Sequence, residues 1–248
     1  MIGLTILAWL PPPYRTTPDG RLLMCSFVIL DKISVKINLI NIYIPLVCGF
    51  SMTDSTDWRE AIENSRWKID FEINHYGDLF YSLIRTHQPG KVVELGTKAG
   101  YSAYHMAHGL RENGIGGLDC YDLWENYEFN SCPKSEAEAN LREFIDAGIV
   151  RLHQRNVDGL HNEYDSIDIL NVDLGNHADL LEEIVMPWLP KVKELTIIEG
   201  GSVERDQVDW MEKYAKRKIK PWLDGLGEKG YKVFTFEPFP SVSLIKPK

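Results

Sequence analysis

The segment KVVELGTKAGYSAYHMAHGL, from Lys91 to Leu110, restricts the fold of this chain more than any other stretch. A short apolar run, typical of a buried strand, leads into a turn with glycines at 96 and 100, and a helical pattern follows. Glycine lets the backbone take positive φ and approach a ligand closely. This order predicts a β-α unit of a parallel sheet, with a binding site at the turn.

The same alternation continues to the end of the chain. Further strands are predicted at GGLDCYDLW (116–124), IVRLHQ (149–154), IDILNVD (167–173) and ELTIIEG (194–200), and two more in YKVFTFEPFPSVSLIKPK (231–248). Helices are predicted from Trp58 onward and then at HYGDLFYSLIRTHQ (75–88), SAYHMAHGLREN (102–113), SEAEANLREFIDAG (135–148), HADLLEEIVMPWL (177–189) and VERDQVDWMEKYAKRKI (203–219). The predicted fold is an α/β, Rossmann-like, doubly wound seven-stranded sheet, with helices on both faces and a C-terminal antiparallel hairpin.

The composition of the chain changes near Met52. Residues 1–51 contain proline punctuation and two β-rich runs, so we expect an N-terminal extension, either a β-hairpin or a non-native leader ahead of a second start at Met52. Residues 52–248 are expected to form the working domain. The apolar N-terminus lacks a basic region, which argues against a secretory signal.

Charge and cysteine content restrict the partners and the location. A formal net charge of −9 disfavours binding to nucleic acid or to an anionic membrane. The basic run KYAKRKIK, 213–220, fits a solvated helix face better than a docking patch for an anionic substrate. Four cysteines without a CxxC pair predict reduced thiols in a cytoplasmic protein.

Polar residues at successive strand ends indicate the ligand at the glycine turn. The N–H groups that open the following helix favour an anion, while Glu94 beside them suits a ligand that also carries an ammonium group. Asp122 closes the second strand, where an acid can accept both hydroxyls of a ribose. Trp124 can stack on a purine, and Asn156 or Asp158 can bond an adenine amino group. These groups together describe S-adenosylmethionine.

Each of these residues also has an interpretation without a ligand. Trp124 fits the core as well as it fits an adenine cover. Asp122 can cap the next segment, Asp158 can form a turn with Gly159, and the two glycines can make a tight turn alone.

The ordered segments VVELGTKAGYSA, DCYDLW, IDILNVDLGNH and TIIEGG, with the closing hairpin, resemble the class I S-adenosylmethionine-dependent methyltransferases, in the style of small-molecule O-methyltransferases. The resemblance covers about residues 73–246. It implies that Glu94, Gly96, Thr97 and Gly100 line the methionine end, that Asp122 binds the ribose, that Ser102 opens the helix and that Asn156 lies near the adenine. Members usually carry an acid at this last position, so Asp158 is the alternative match.

Residues after the fourth and fifth strands are candidates for chemistry on the acceptor. His177 titrates near neutral pH and is a candidate base, although it can equally hydrogen-bond at a helix start. Asp173 ends a buried strand, where an unpaired carboxylate is costly, so a functional or ion-paired role is favoured. Arg205 fits a surface salt bridge better than a site for an acidic substrate.

Related O-methyltransferases hold a divalent cation with acids after these strands. That resemblance makes Asp173 and Glu199 candidate Mg²⁺ ligands, with Asn176 or His177 third, although Gly200 stands where a second ligand from the fifth strand is expected. A metal-free site, with Glu199 hydrogen-bonded to substrate or backbone, is the favoured alternative.

The resulting hypothesis is a methyltransferase that acts on oxygen in a small hydroxylated molecule, of sugar or natural-product type, and that can be a homo-oligomer. A non-catalytic member that binds cofactor or a protein partner is the first alternative. A nucleotide-dependent oxidoreductase is the second, although Ala103 replaces the third glycine of its usual motif. A nucleic-acid methyltransferase is disfavoured by the charge.

Overall fold

The computed structural model describes residues 75–127 and 132–248. These residues form one sheet of seven strands, namely β1 (Lys91–Leu95), β2 (Gly117–Asp122), β3 (Val150–Gln154), β4 (Ile167–Val172), β5 (Val192–Glu199), β6 (Lys232–Phe236) and β7 (Val242–Lys246). Their order in the sheet is β3-β2-β1-β4-β5-β7-β6. The predicted doubly wound, seven-stranded α/β fold is confirmed.

The strand order reverses between β1 and β4, and this reversal positions the site. β1 pairs in parallel with β2 on one side and with β4 on the other, in the register Val92↔Ile169 and Leu95↔Val172. Ligands of such sheets bind outside the carboxyl ends of the strands at the reversal. The glycine turn follows β1 at this point.

The last two strands form the predicted antiparallel hairpin. β7 inserts between β5 and β6 and pairs antiparallel with both, in registers that include Ile198↔Ser243 and Phe236↔Val242. Pro238 and Pro240 lie in the connection, where a residue without an N–H removes no ladder hydrogen bond.

Helices cover both faces of the sheet, as predicted. They are α1 (Tyr76–His87), α2 (Tyr101–Asn113), α3 (Lys134–Asn140), α4 (Arg142–Asp146), α5 (Ala178–Leu180), α6 (Asp209–Lys213) and α7 (Ile219–Glu228). Adjacent strand residues point to opposite faces, so Val92 belongs to a core with α1 and α2, while Val93 belongs to a second core with α5 and α7.

Three predicted helices differ from the structure. The helix expected at 135–148 is divided at Leu141 into α3 and α4, and the one expected at 177–189 continues from α5 as a π-helical turn, Leu181–Val185. The helix expected at 203–219 is also wrong, since α6 ends at Lys213 and α7 begins at Ile219. Most of the basic run at 213–220 therefore connects two helices, and it does not form one helix face.

Some sequence predictions lie outside the described residues, namely the hairpin or leader at 1–51, the start of the working domain at 52 and the helix from Trp58. Among the described residues, no helix combines the length and the apolarity that crossing a membrane requires. Cys120 and Cys132 are both buried.

Candidate active site

An open cavity of about 1280 Å³ lies at the carboxyl ends of β1, β2, β4 and β5. It brings together most of the residues that the sequence analysis selected from five separate strand ends, because Asn156 and Asp158 after β3 also line it. The selected residues that line it are Gly96, Thr97, Ser102, Asp122, Asn156, Asp158, Asp173, His177 and Glu199. Glu94, Gly100 and Trp124 lie beneath this lining.

Gly96 joins three strand ends and leaves no room for a side chain. Its N–H donates to the Tyr121 carbonyl at 2.9 Å, and the Asp173 N–H donates to the Leu95 carbonyl at 2.8 Å. Its φ is +87°, and a Cβ added there would lie 2.0 Å from the Asp173 carbonyl oxygen. The close approach of β1 and β4 therefore depends on glycine at this position.

Gly100 has a different role from the one that the resemblance implies. Its φ is +92°, and an added Cβ would meet Leu141 Cδ1 at 2.8 Å. It precedes α2 and packs against the segment between α3 and α4. Gly100 therefore shapes the turn and does not line the methionine end.

Glu94 supports the turn from below. The Ser102 hydroxyl donates to its Oε1 at 2.5 Å, and the Asn171 amide donates to the same atom at 2.9 Å. Burial raises the pKa of Glu94, and the Ser102 and Asn171 hydrogen bonds oppose that rise. The nearby Thr97 hydroxyl also opposes the rise in the pKa of Glu94, although the hydroxyl does not form a hydrogen bond with it. Glu94 thus holds Ser102 at the cavity wall and is not itself part of that wall.

Asp122 fixes the backbone of the turn. Its Oδ2 accepts the N–H groups of Thr97 at 2.9 Å and Lys98 at 2.7 Å, and its Oδ1 accepts the Trp124 N–H at 2.7 Å. A carboxylate offers about four lone-pair sites. The predicted ribose contact is thus compatible with the hydrogen bonds that hold the turn.

Trp124 is a core residue, and its expected role as an adenine cover is corrected. Its side chain is 0% exposed, and its indole N–H donates to the Lys98 carbonyl at 2.7 Å. The indole is therefore a support for the turn from behind.

Asn156 and Asp158 form one unit at the rim of the cavity. The Asn156 amide donates to Asp158 Oδ2 at 2.8 Å, and the Asp158 N–H donates to Asn156 Oδ1 at 3.0 Å. The two alternative adenine ligands are thus hydrogen-bonded to each other. They remain predicted ligands, since both line the cavity.

Asp173 presents a carboxylate to the cavity from the end of β4. No hydrogen bond or ion pair within 75–127 and 132–248 engages this side chain. Burial first, and then the nearby carboxylates of Glu199 and Glu94, hold the pKa of Asp173 well above its ordinary value. Such a carboxyl group is a stronger base than an exposed aspartate.

His177 caps α5. Its Nδ1 accepts the Leu180 N–H at 3.3 Å, which assigns the proton of the neutral ring to Nε2. Burial, and then the charge of Lys216, lowers the pKa of His177, whereas Asp179 raises it. The ring therefore offers an N–H donor to the cavity, and the predicted role of general base suits Asp173 better.

Glu199 and Arg205 form a buried ion pair at the end of β5. Arg205 Nε donates to Glu199 Oε1 at 2.5 Å, and its Nη2 donates to Oε2 at 2.9 Å. Arg205 is only 6% exposed, so the expected surface salt bridge is corrected to a buried one that faces the cavity. Both oxygens of the predicted metal ligand are thus bonded to a guanidinium.

Comparison with known proteins identifies the fold and the domain. Residues 93–202 match the family model described as a methyltransferase domain. A putative O-methyltransferase from Klebsiella pneumoniae superposes with a TM-score of 0.54 at 15% identity, over 70% of this chain and 80% of that chain. Residues 93–202 are therefore a methyltransferase domain, and the chain has the fold of the solved O-methyltransferases.

Two further structures of this methyltransferase fold contain the cofactor or its product. The O-methyltransferase TomG from Streptomyces achromogenes, in complex with S-adenosylmethionine, matches with a TM-score of 0.53 at 16% identity, over 69% of this chain and 79% of that chain. The S-adenosylhomocysteine-bound methyltransferase PaMTH1 from Podospora anserina has a TM-score of 0.53 at 16% identity, over 87% of this chain and 100% of that chain. No curated protein matches the chain significantly.

The residues of this methyltransferase fit S-adenosylmethionine. The turn offers backbone N–H groups at the start of α2, and Thr97 Oγ1 beside it is a buried atom without a hydrogen bond to a described residue. Asp122, the predicted ribose ligand, lines the cavity, and the Asn156–Asp158 unit lies at its rim. The donor set suits an amino-acid head, a ribose and an adenine, in that order along the cavity.

The residues at the predicted metal site do not fit Mg²⁺. Arg205 occupies both Glu199 oxygens, and the Asn176 amide donates to the carbonyls of Val172 at 3.1 Å and Glu199 at 2.9 Å. Asn176 is buried, its Oδ1 accepts the Leu174 N–H at 3.2 Å, and its amide ties β4 to β5, so it does not suit the role of third ligand. Within the described part of the chain, no group of three or more candidate ligands could hold a metal ion. The predicted site at Asp173 and Glu199 does not suit a divalent cation.

Sequence reasoning undervalued the acceptor half of the cavity. The sequence pointed to Arg205 but did not show that it is buried, because its burial depends on where α6 and α7 lie. The other acceptor-side residues come from loops and from α6, in segments without a motif. They are Tyr127, Val208, Trp210, Phe239 and Pro240.

Proposed function

We propose that this chain transfers a methyl group from S-adenosylmethionine to a hydroxyl oxygen of a small acceptor molecule, with Asp173 as the general base. The observation that carries the proposal is the Asp173 carboxylate, which faces the cavity without a hydrogen bond or ion pair from any described residue. A partly buried carboxylate without an ion pair costs stability, so a sequence retains it where it has a task.

The cofactor half of the cavity supplies alignment. S-adenosylmethionine, when bound, provides a methyl group on a positively charged sulfur. Asp122 holds the ribose and, through Thr97 and Lys98, the turn that positions the methionine end. Positioning of this kind accounts for a large part of the rate enhancement when two reactants must meet in line.

The acceptor half supplies the proton transfer. The acceptor hydroxyl gives its proton to the Asp173 carboxylate, and the acceptor oxygen forms a bond to the methyl carbon as the carbon–sulfur bond breaks. The electron pair of that bond remains on sulfur, so the second product is a neutral thioether. His177 Nε2–H donates a hydrogen bond to the acceptor and fixes its orientation.

The chemistry of the pocket supports a small acceptor. Apolar side chains of Val208, Trp210 and Phe239 line the acceptor end, and the acidic net charge of −9 disfavours nucleic acid. TomG, which shares the fold, is an O-methyltransferase involved in tomaymycin synthesis. An aromatic natural product therefore suits this end better than a sugar, whose hydroxyls need many polar partners.

The test is methyl transfer by the full chain. S-adenosylmethionine labelled with ¹³C in the methyl group is incubated with a panel of phenols, polyols and amines, in EDTA and in Mg²⁺. The expected result is a new methoxy signal from a phenol, of equal intensity in both buffers. A methyl group found only on nitrogen or carbon would refute the proposed reaction. Cofactor binding without transfer to any acceptor would favour the non-catalytic alternative.

A further inference from the structure

The guanidinium of Arg205 has a donor that the fold does not use. Two of its nitrogens bond Glu199, and the third, Nη1, is buried without a hydrogen-bond partner among the described residues. Arg205 also lines the cavity at the acceptor end. A buried cationic donor left unpaired costs free energy. Its presence in the cavity wall therefore points to a ligand atom that accepts from Nη1.

The surroundings hold the guanidinium in one orientation. Glu199 accepts from Nε and Nη2, the Arg205 N–H donates to the Ser202 hydroxyl at 3.1 Å, and the Arg205 guanidinium carbon lies 5.3 Å from the centre of the Trp210 ring. A fork fixed on a carboxylate is preorganised, so little side-chain entropy is lost when its remaining N–H groups bind a ligand.

The charge balance selects the kind of ligand. Glu199 neutralises the charge of Arg205, and Asp173 nearby is kept from ionising readily by its raised pKa. A full carboxylate would face the acidic side chains of Glu199 and Asp173 beside the one guanidinium of Arg205. A hydroxyl that becomes negative only as it loses its proton suits the balance better.

The apolar wall narrows the class further. Trp210, Val208 and Phe239 line the same end of the cavity as Arg205. A flat aromatic ring can pack against such side chains while its hydroxyl reaches the arginine. We propose that Arg205 Nη1 binds the oxygen of a phenolic acceptor and stabilises its developing negative charge, in the place that a divalent cation would otherwise take. This inference rests on the proposed function and adds the acceptor class and a residue that contacts it.

The first experiment measures binding apart from turnover. The full chain is saturated with S-adenosylhomocysteine and titrated with 4-nitrophenol, whose ionised form absorbs visible light. A double variant, Arg205→Met with Glu199→Gln, removes Nη1 and the buried pair together, so that no unpaired charge is left in the core. Arg217→Met is the matched control, because Arg217 is an exposed arginine that forms ion pairs with Asp179 and Glu182 and takes no part in the Glu199–Arg205 pair.

The wild type and the control are expected to bind 4-nitrophenol alike, and the double variant about 10- to 100-fold more weakly, as for loss of a hydrogen bond to a charged group. The bound phenol is expected to ionise at lower pH in the wild type than in the double variant, a shift that a purely structural role would not produce. Absence of binding by the wild type, or equal binding and ionisation in the double variant, would overturn the site.

A second experiment separates this inference from the proposed function. Methyl transfer to phenols is measured for the wild type and for Arg205→Lys, which keeps the charge and loses the planar fork. A fall in kcat with unchanged S-adenosylhomocysteine affinity supports the site. Equal transfer by both proteins would refute the role of Arg205 and leave the function intact. If 4-nitrophenol binding depends on Arg205 but no acceptor is methylated, the proposed binding site stands and the proposed function is refuted.

Discussion

Replacing Gly96 with alanine tests whether the close contact between β1 and β4 shapes the site. Gly96 has φ of +87°, and an alanine Cβ would lie 2.0 Å from the Asp173 carbonyl oxygen and 2.6 Å from its carbon. Both are backbone atoms, so no flexible side chain can move aside. Gly114 offers a matched control, since its φ is +68° and an added Cβ would have nothing within 4 Å.

The two substitutions share one cost and differ in another. An L-residue at positive φ costs about 1–2 kcal/mol, and alanine reduces the entropy of the unfolded chain equally at both sites. Only Gly96→Ala adds overpacking, which costs about 1–3 kcal/mol and more where backbone must shift. We expect Gly96→Ala to destabilise the fold by about 2–5 kcal/mol and Gly114→Ala by about 1–2 kcal/mol.

Scanning calorimetry of the full chain measures the difference. At about 2–4 °C per kcal/mol for a domain of this size, Gly96→Ala lowers Tm by about 4–20 °C and Gly114→Ala by about 2–8 °C. S-adenosylhomocysteine is expected to raise the Tm of Gly114→Ala as it does for the wild type, and to raise that of Gly96→Ala less. Equal losses of Tm in the two variants would refute the steric argument.

Three further results follow from the carboxylates at the site. Asp173→Asn is expected to raise Tm at neutral pH by about 2–10 °C, because it removes a partly buried, unpaired acid, and to abolish methyl transfer; calorimetry and the labelled-methyl assay measure both. The pKa of Asp173 is raised in the folded state, so its protonated form stabilises the fold at low pH and this contribution is lost as pH rises through that pKa. The ionised form is the base, so kcat/KM is expected to fall as pH decreases through the same raised pKa, and a pH profile without that acidic limb would exclude Asp173. Asp122→Asn replaces an acceptor of three backbone N–H groups and is expected to weaken S-adenosylmethionine at least about tenfold by calorimetric titration, whereas an unchanged affinity would remove Asp122 from the site.

The cofactor half of the fold could be predicted from the sequence because its signals are local. β1 was expected at 91–95 and is found at Lys91–Leu95, since four of its five residues are buried and a glycine turn ends it. The helix after the turn ends before Gly114, which has the positive φ typical of a helix C-cap.

Features that depend on distant segments could not be predicted in the same way. Trp124 follows an acid that points to the ligand, yet its indole bonds the Lys98 carbonyl behind the turn. α7 was missed because Gly225 and Gly227 weaken its helical pattern, and its apolar face becomes decisive only once the sheet is present.

The acceptor half shows the same limit in chemical terms. Glu199 and Arg205 are close in sequence, but sequence alone does not show that both are buried and paired. The pairing depends on the turn after β5 and on α7, because Ile219 packs beneath Gly200. Glu199, which the sequence suggested as a metal ligand, is thus the acidic partner of a buried ion pair.

Calorimetric titration of the full chain with S-adenosylmethionine, in EDTA and in Mg²⁺, tests the central claim most directly. The structure predicts one site of micromolar affinity that is weakened by Asp122→Asn and indifferent to Mg²⁺. Binding that requires Mg²⁺ would contradict the role assigned to the Glu199–Arg205 pair. Absence of binding by a demonstrably folded chain would contradict the identification of the cavity as the cofactor site.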